Sequence, residues 1–251
     1  MSTADPAATI SPLPGVLSLV IPAHNEAANL PRVVGLALPV LVSLAAGFEV
    51  VLVDDGSTDD TVAVARSAMD GYADRLRIVS HSHKSGYGIT VADGLRAARG
   101  DWIAFMDGDG QFDPRDLRIL ADRASAADMV TGWRIHRADP WHRSVVSRTF
   151  NVLVGLLYGV HFRDVDCGFK LMRRRVLDAA SPLLARSALL NTELYFKCQR
   201  SGLRVVQVGL NHHPRLAGVR SGGRLRPILR AVVELVRLRV ELARRWGPPR
   251  S

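Results

Sequence analysis

No apolar stretch in this chain approaches the roughly 20 residues that a membrane-spanning helix requires; the longest, such as Asn151 to Val160, stop far short. Residues 1–15 show no basic start and no apolar block, so they read as a loose Pro/Ala tail and not as a secretory leader. Cysteine is scarce. Cys167 and Cys198 stand alone without metal-ligand spacing, which points to a reduced, cytosolic setting. Aromatics make up only 6%, and no stacking pattern or recognised motif accompanies the basic residues, so a nucleic-acid-binding role finds little support despite a pI of about 10.5. Lysine is almost absent, since 30 of the 33 basic residues are Arg.

What is present suits one α/β domain: 251 residues, 47% of them hydrophobic, enough for a sizeable core. Charge is divided unevenly. Residues 1–125 hold 10 basic and 16 acidic residues, whereas residues 126–251 hold 23 and 8. A basic half of this kind faces a polyanion such as nucleic acid, anionic lipid or phosphate.

Strand and helix signals alternate through the first half. LSLVIP (17–22), FEVVLVDD (48–55), RLRIVSH (75–81), DWIAFMD (101–107) and ADMVTGW (127–133) read as strands. Between them, helices are expected over Glu26–Leu44, over Thr58–Met69 with Ser57 or Thr58 as cap, over Ile89–Arg99, and after Pro114. Such alternation implies a doubly wound, mostly parallel sheet whose ligands sit at the carboxyl ends of the strands. Beyond residue 135 the pattern loosens: helix over about 141–160, strand at 168–173, helix at 191–201, strand at 203–210 and a long basic helix at 225–246. The expected organisation is a tail (1–15), one domain (16–222) and a helical extension (223–251).

The polar clusters fall at strand ends. IPAHNEAANL (21–30) and VDDGSTDDT (53–61) place carboxylates where base and ribose groups can be recognised, although Asp, Ser and Asn also serve turns and caps. KSGYGITVADG (84–94) has a Lys and close glycines before a helix but lacks a complete dinucleotide fingerprint. In MDGDGQ (106–111), alternation along extended backbone turns Asp107, Asp109 and Gln111 to one side, an oxygen set suited to Mg²⁺ or Mn²⁺ completed by water and diphosphate. An EF-hand is excluded: counted from Asp107, Phe112 replaces the required Gly and Arg118 the required Glu.

Together these clusters, with DVDCGFKLMRR (164–174) and HPRLAG (213–218), resemble family 2 glycosyltransferases of GT-A fold, especially the branch of dolichyl- and polyprenyl-phosphate mannose synthases. The matching elements occur in order over residues 17–220. The resemblance implies that Pro22, His24, Glu26, Asp54, Asp55, Lys84, Asp107 and Gly108 surround the nucleotide sugar. It implies that Asp107, Asp109 and Gln111 hold the divalent ion, that Arg215 lies near the diphosphate, and that Arg134 and Arg148 grip an acceptor phosphate. The chain departs from the family at His24, where Tyr is frequent, at Cys167, where Ser is usual, and in RLAGVRS, where Arg220 takes a Ser position and Gly222 follows two residues on.

The implied reaction moves a hexose, mannose by family default and otherwise glucose or an N-acetylhexosamine, from a GDP- or UDP-sugar to polyprenyl or dolichyl phosphate with inversion. A phosphate monoester acceptor is already ionised near neutral pH and needs no general base. Asp166 would be that base for a sugar-hydroxyl acceptor of a cell-wall or glycolipid kind, and otherwise an organiser of Arg134 or Arg148. A nucleotidyltransferase shares the sheet type but needs a Gly-rich basic loop after the first strand, and none is read there. The extension 224–246 carries seven Arg and an apolar face of Ile228, Leu229, Val232, Leu235, Val236, Leu238 and Leu242. That face either packs on the domain or lies on an anionic membrane surface, which would make the protein peripheral at the inner face of the plasma membrane, with any membrane-protein partner unidentified.

Overall fold

A computed structural model describes residues 12–135, 141–215 and 225–246. The elements run β1 (Leu13–Ala23), α1 (Leu30–Leu44), β2 (Ala45–Asp54), α2 (Thr61–Ala68), β3 (Leu76–Ser80), α3 (Tyr87–Ala97), β4 (Trp102–Met106), α4 (Leu117–Asp122), β5 (Met129–Arg134), α5 (Trp141–Tyr158), β6 (Phe169–Arg173), α6 (Arg174–Ala180), α7 (Leu190–Arg200), β7 (Val205–Leu210) and α8 (Leu225–Trp246). Seven strands form one sheet in the order β3-β2-β1-β4-β6-β5-β7. All neighbours are parallel except β6, which runs antiparallel to both β4 and β5.

The sheet is buried on both faces, as parallel sheets must be. Leu17, Leu19 and Ile21 of β1 join Val33, Ala37 and Leu41 of α1 in one core layer. Val20, Val51 and Val53 join Val91 and Leu95 of α3 in the other. The two-residue alternation of strand side chains thus divides β1 between two helical layers. Each fully buried Leu or Val contributes about 1.5–3 kcal/mol over leaving it in water. Gly94 brings α3 close to the sheet, since a Cβ there would lie 2.4 Å from Val20 Cγ1.

Element ends depart from the sequence reading for local reasons. Pro31 occupies the first turn of α1, so the helix begins at Leu30 and residues 26–29 form a turn closed by Asn29 N–H to the Glu26 carbonyl. Neither Ser57 nor Thr58 caps α2, which begins at Thr61. α6 was not expected; it follows β6 without a break, and Arg173 at its cap makes no side-chain capping bond. β1 starts at Leu13, while the remainder of the expected tail, residues 1–11, and the Arg220 and Gly222 positions lie outside the described residues.

α8 packs onto the domain through Leu235, Leu238 and Leu242, all buried beside Val154, Tyr158 and Phe196. The Tyr158 hydroxyl donates to the Leu235 carbonyl at 2.5 Å, and Arg239 Nε donates to the Leu157 carbonyl at 2.6 Å. Val236, assigned above to the same apolar face, instead points outward and is half exposed. Among the described residues, no helix is long and apolar enough to cross a membrane.

Candidate active site

The strand order reverses direction around β1, with β2 on one side and β4 on the other, so a crevice opens at their carboxyl ends. The cavity there measures about 300 Å³ and is walled by Pro22, Ala23, His24, Glu26, Asp55, Lys84, Tyr87, Thr90, Asp107, Gly108, Asp109 and Arg215. Five segments distant in sequence thus converge on one crevice.

The β1 and β2 loops are stitched together by backbone donors and short polar side chains. Asn25 takes a left-handed backbone (φ 58°), a conformation that Asn tolerates. Its N–H donates to Ser57 Oγ at 2.9 Å, while its Oδ1 accepts the Thr58 N–H at 2.8 Å. Glu26 N–H donates to Thr61 Oγ1 at 2.9 Å, and Asp54 Oδ1 accepts the Ser57 N–H at 3.1 Å. Asp54 therefore holds the turn and does not line the cavity. Its neighbour Asp55 does, with His24 Nδ1 donating to its carbonyl at 2.9 Å.

Asp55 also fixes the glycine loop. Its carboxylate accepts the Ser85 and Gly86 N–H groups at 2.7 and 3.0 Å, and His81 Nδ1 lies 2.9 Å away. Burial works against the charge, but these hydrogen bonds outweigh it and hold the carboxyl below its ordinary range. The loop then carries Lys84 and Tyr87 to the cavity wall.

Asp107 and Asp109 follow β4 and flank Gly108, whose N–H donates to the Pro22 carbonyl at 3.3 Å. Asp107 Oδ1 is buried without a hydrogen-bond partner. Burial, then the charge of Asp109, push the Asp107 carboxyl up to about 7, against the pull of Tyr87, Lys170 and Arg134. Two acids stand side by side here, one with a bare buried oxygen. The donor chemistry fits a hard divalent cation whose other positions come from the ligand. Among the described residues no three His, Cys, Asp or Glu side chains form such a group on their own.

Gln111 does not line the cavity. Residues 108–110 bend, with Gly110 at φ +72°, and the bend ends the strand alternation. The Gln111 side-chain amide donates to the His213 carbonyl at 3.1 Å and its own carbonyl accepts the His213 N–H at 2.8 Å. It tethers the segment that delivers Arg215, whose guanidinium pairs with Glu26 Oε1 and lies 3.8 Å from Asp109 Oδ2. Burial, foremost, raises the Glu26 carboxyl, opposed by Asn29 and Arg215.

Arg134, Arg148 and Asp166 do not line the cavity. Arg134 gives a two-point fork to Asp164, at 2.6 and 2.7 Å, so Asp164 is its direct partner, with the charge of Asp166 acting on it as well. Arg148 stands exposed on α5. The sequence reading does not include Tyr87, Thr90 and Ala23 as wall residues, nor Asp164 as the partner of Arg134. The glycine loop marked the first two, and the paired acids of DVD, spaced like those of DGD, could have marked Asp164.

Against known proteins, the pattern of Glycosyl transferase family 2 matches residues 18–180. The chain belongs to that family. It is 31% identical to a dodecaprenyl-phosphate galacturonate synthase of Rhizobium johnstonii, over 82% of the chain and 62% of the relative. It is 29% identical to an undecaprenyl-phosphate 4-deoxy-4-formamido-L-arabinose transferase of Aeromonas hydrophila, over 81% and 61%. With a polyprenol monophosphomannose synthase of Mycolicibacterium smegmatis the identity is 31%, over 96% of the chain and 94% of the relative. The chain spans about three fifths of the length of the first two. In three dimensions it superposes on glucosyl-3-phosphoglycerate synthase from Mycobacterium tuberculosis, a structure holding Mn²⁺, UDP and glucosyl-3-phosphoglycerate, with a TM-score of 0.67 at 22% identity, over 94% of this chain and 82% of that one. The expected GT-A α/β fold with a mostly parallel sheet is thereby established.

Proposed function

We propose that this family 2 glycosyltransferase moves a hexose, mannose first among the candidates, from a GDP- or UDP-sugar to polyprenyl phosphate, working peripherally at the inner face of the plasma membrane. The observation that carries the reading is the Asp107–Asp109 pair, with its bare buried oxygen, placed beside Arg215 and Lys84 in one crevice. Acids alone there would repel a diphosphate, and cations alone would leave the acids unbalanced. Support for the acceptor class comes from the relatives, whose names specify dodecaprenyl, undecaprenyl and polyprenol phosphates.

Asp107 and Asp109 would hold Mg²⁺ or Mn²⁺, which supplies Lewis-acid stabilisation of the charge developing on the leaving diphosphate. Arg215 and Lys84 donate to the same phosphates, prepositioned for that charge. Arg215 can keep Glu26 and still donate to the ligand, because its guanidinium has five donors. Glu26, Asp55 and His24 face the nucleoside and its sugar. The acceptor phosphate oxygen attacks the anomeric carbon as the bond to the diphosphate oxygen breaks, and the electron pair leaves with the nucleotide. An α-linked donor thus yields a β-linked product. No proton need leave the attacking oxygen, so Asp166 has no required part.

The test is incubation of pure protein and Mg²⁺ or Mn²⁺ with a panel of nucleotide sugars and a short polyprenyl phosphate, with the product read by mass spectrometry. The expected result is one lipid-phosphate-linked hexose. Transfer only to a sugar hydroxyl, or none with any donor, overturns the reading.

A further inference from the structure

The buried side of α8 accounts for Leu235, Leu238 and Leu242 but leaves a second apolar row unexplained. Val233, Val236 and Val240 are each about half exposed. Spaced i, i+3 and i+7, they form one stripe along the outer side of the helix. Val236 lies one turn before Arg239, whose Nε reaches the Leu157 carbonyl, so the middle of the stripe neighbours α5, while Val233 borders a groove shared with Leu184, Ala185 and Arg186. On α5, Val152, Leu153 and Leu156 are also exposed, Leu156 at 77%. Two helices joined by the Tyr158–Leu235 and Arg239–Leu157 bonds therefore present neighbouring apolar rows to the outside.

The surroundings of these rows indicate what covers them. Arg237 and Arg244 are exposed one turn after Val233 and Val240 respectively. The acids nearby are engaged: Glu241 pairs with Arg245 at 3.0 Å, and Glu234 Oε1 accepts the Arg186 N–H at 3.2 Å. A two-fold pairing with a second copy would set this arginine rim against itself, which favours a partner that is both apolar and anionic. Arg148 lies on the same line of α5 as Val152 and Leu156, at i, i+4 and i+8, and is exposed with them.

We infer that the joint α5–α8 face seats the protein on an anionic bilayer, with the Val and Leu rows entering the headgroup boundary and the arginines meeting lipid phosphates. The inference rests on the proposed function for its purpose, since it would set Arg148 at the level where a polyprenyl phosphate headgroup lies. The surface itself stands on geometry and charge. Shallow burial of apolar side chains combined with attraction to anionic lipid is a sufficient binding mode.

The test is cosedimentation of the full chain with phosphatidylcholine vesicles, with and without phosphatidylglycerol. Three proteins are compared: wild type, the double variant Leu156→Glu/Val236→Glu, and a control, Val42→Glu, at an exposed valine of α1. Wild type and control should bind the anionic vesicles, and the double variant should lose at least about tenfold in affinity. Its transfer to a short, soluble polyprenyl phosphate should stay at the wild-type rate, which also shows that it is folded. Wild-type binding by the double variant, or no binding by wild type, overturns the surface whatever the transferase assay gives. Dissociation of a dimer by the double variant in light scattering, with vesicle binding unchanged, also overturns it and makes this face a self-association interface. If wild type sediments through this face yet transfers nothing to the short acceptor, the reaction reading fails and the surface stands.

Discussion

A Cβ built on Gly168 would lie 2.1 Å from Oδ2 of Asp107. Gly168 precedes β6, the strand antiparallel to β4, so the backbone of one strand end presses directly on the acid at the end of the other. Alanine at 168 must displace the carboxylate, because nothing else in that contact can yield. Displacement of a reacting group by about 1 Å can cost on the order of 100-fold in rate. Gly168→Ala should therefore lower kcat/KM by about that factor, with an unchanged far-ultraviolet circular dichroism spectrum. A near-wild-type rate would show that the position of Asp107 is not critical.

Asp109→Asn separates binding from folding. Asp109 is one cause of the upward shift of Asp107, so neutralising it relieves a like-charge contact while removing a ligand for the cation. Transfer should fall by about 10³-fold, several kcal/mol of lost charge stabilisation. Titration calorimetry should detect no Mn²⁺-dependent binding of the nucleotide sugar. The Tm should hold or rise. A fall in Tm matching the loss of rate would mean that Asp109 serves the fold instead.

The main lines of this arrangement were open in the sequence because parallel strands buried on both faces leave continuous apolar runs, and strand ends are where such sheets bind. LSLVIP and WIAFM could hardly be other than central strands. The losses came where tertiary bonds override local signals. Ser57 looks like a cap but is spent on the Asn25 N–H. Gln111 looks like a third ligand, yet the Gly110 bend turns it to His213, a partner 102 positions away. Asp164 was passed over for Asp166 because nothing local tells two acids of one DVD apart, whereas the fold brings only Asp164 into the fork of Arg134.

His81 makes stability depend on pH in a definite direction. Burial would lower its pKa, but Asp55 at 2.9 Å and Asp93 at 3.1 Å raise it above the ordinary 6.5. A raised base stabilises the fold fully below 6.5 and ceases to do so as pH climbs through the higher folded value. Asp55, held below 3.8, stabilises above that value and stops as pH falls through its lower folded one. The pair thus favours mildly acidic conditions. His81→Ala should cost about 1–2 kcal/mol near pH 6 and flatten the decline of stability above pH 6.5. Parallel pH profiles for variant and wild type in urea melts would rule out this linkage.

The fork between Arg134 and Asp164 decides which arginine can meet an acceptor phosphate. Asp164 is 5% exposed and both of its oxygens are taken, at 2.6 and 2.7 Å. Although burial opposes the charge, the pair holds the guanidinium above its ordinary range. Breaking a buried pair by removing one partner costs about 3–5 kcal/mol, so Asp164→Asn should lower the Tm by roughly 10 °C for a chain of this size. Arg134→Ala should do likewise. Arg148, exposed on α5, has no such structural burden. Arg148→Ala should leave the Tm in place and raise the KM for polyprenyl phosphate about tenfold, the worth of one charge-assisted contact. The reverse pattern, a Tm loss at Arg148 and a pure KM effect at Arg134, would move the acceptor clamp from the helix to the sheet.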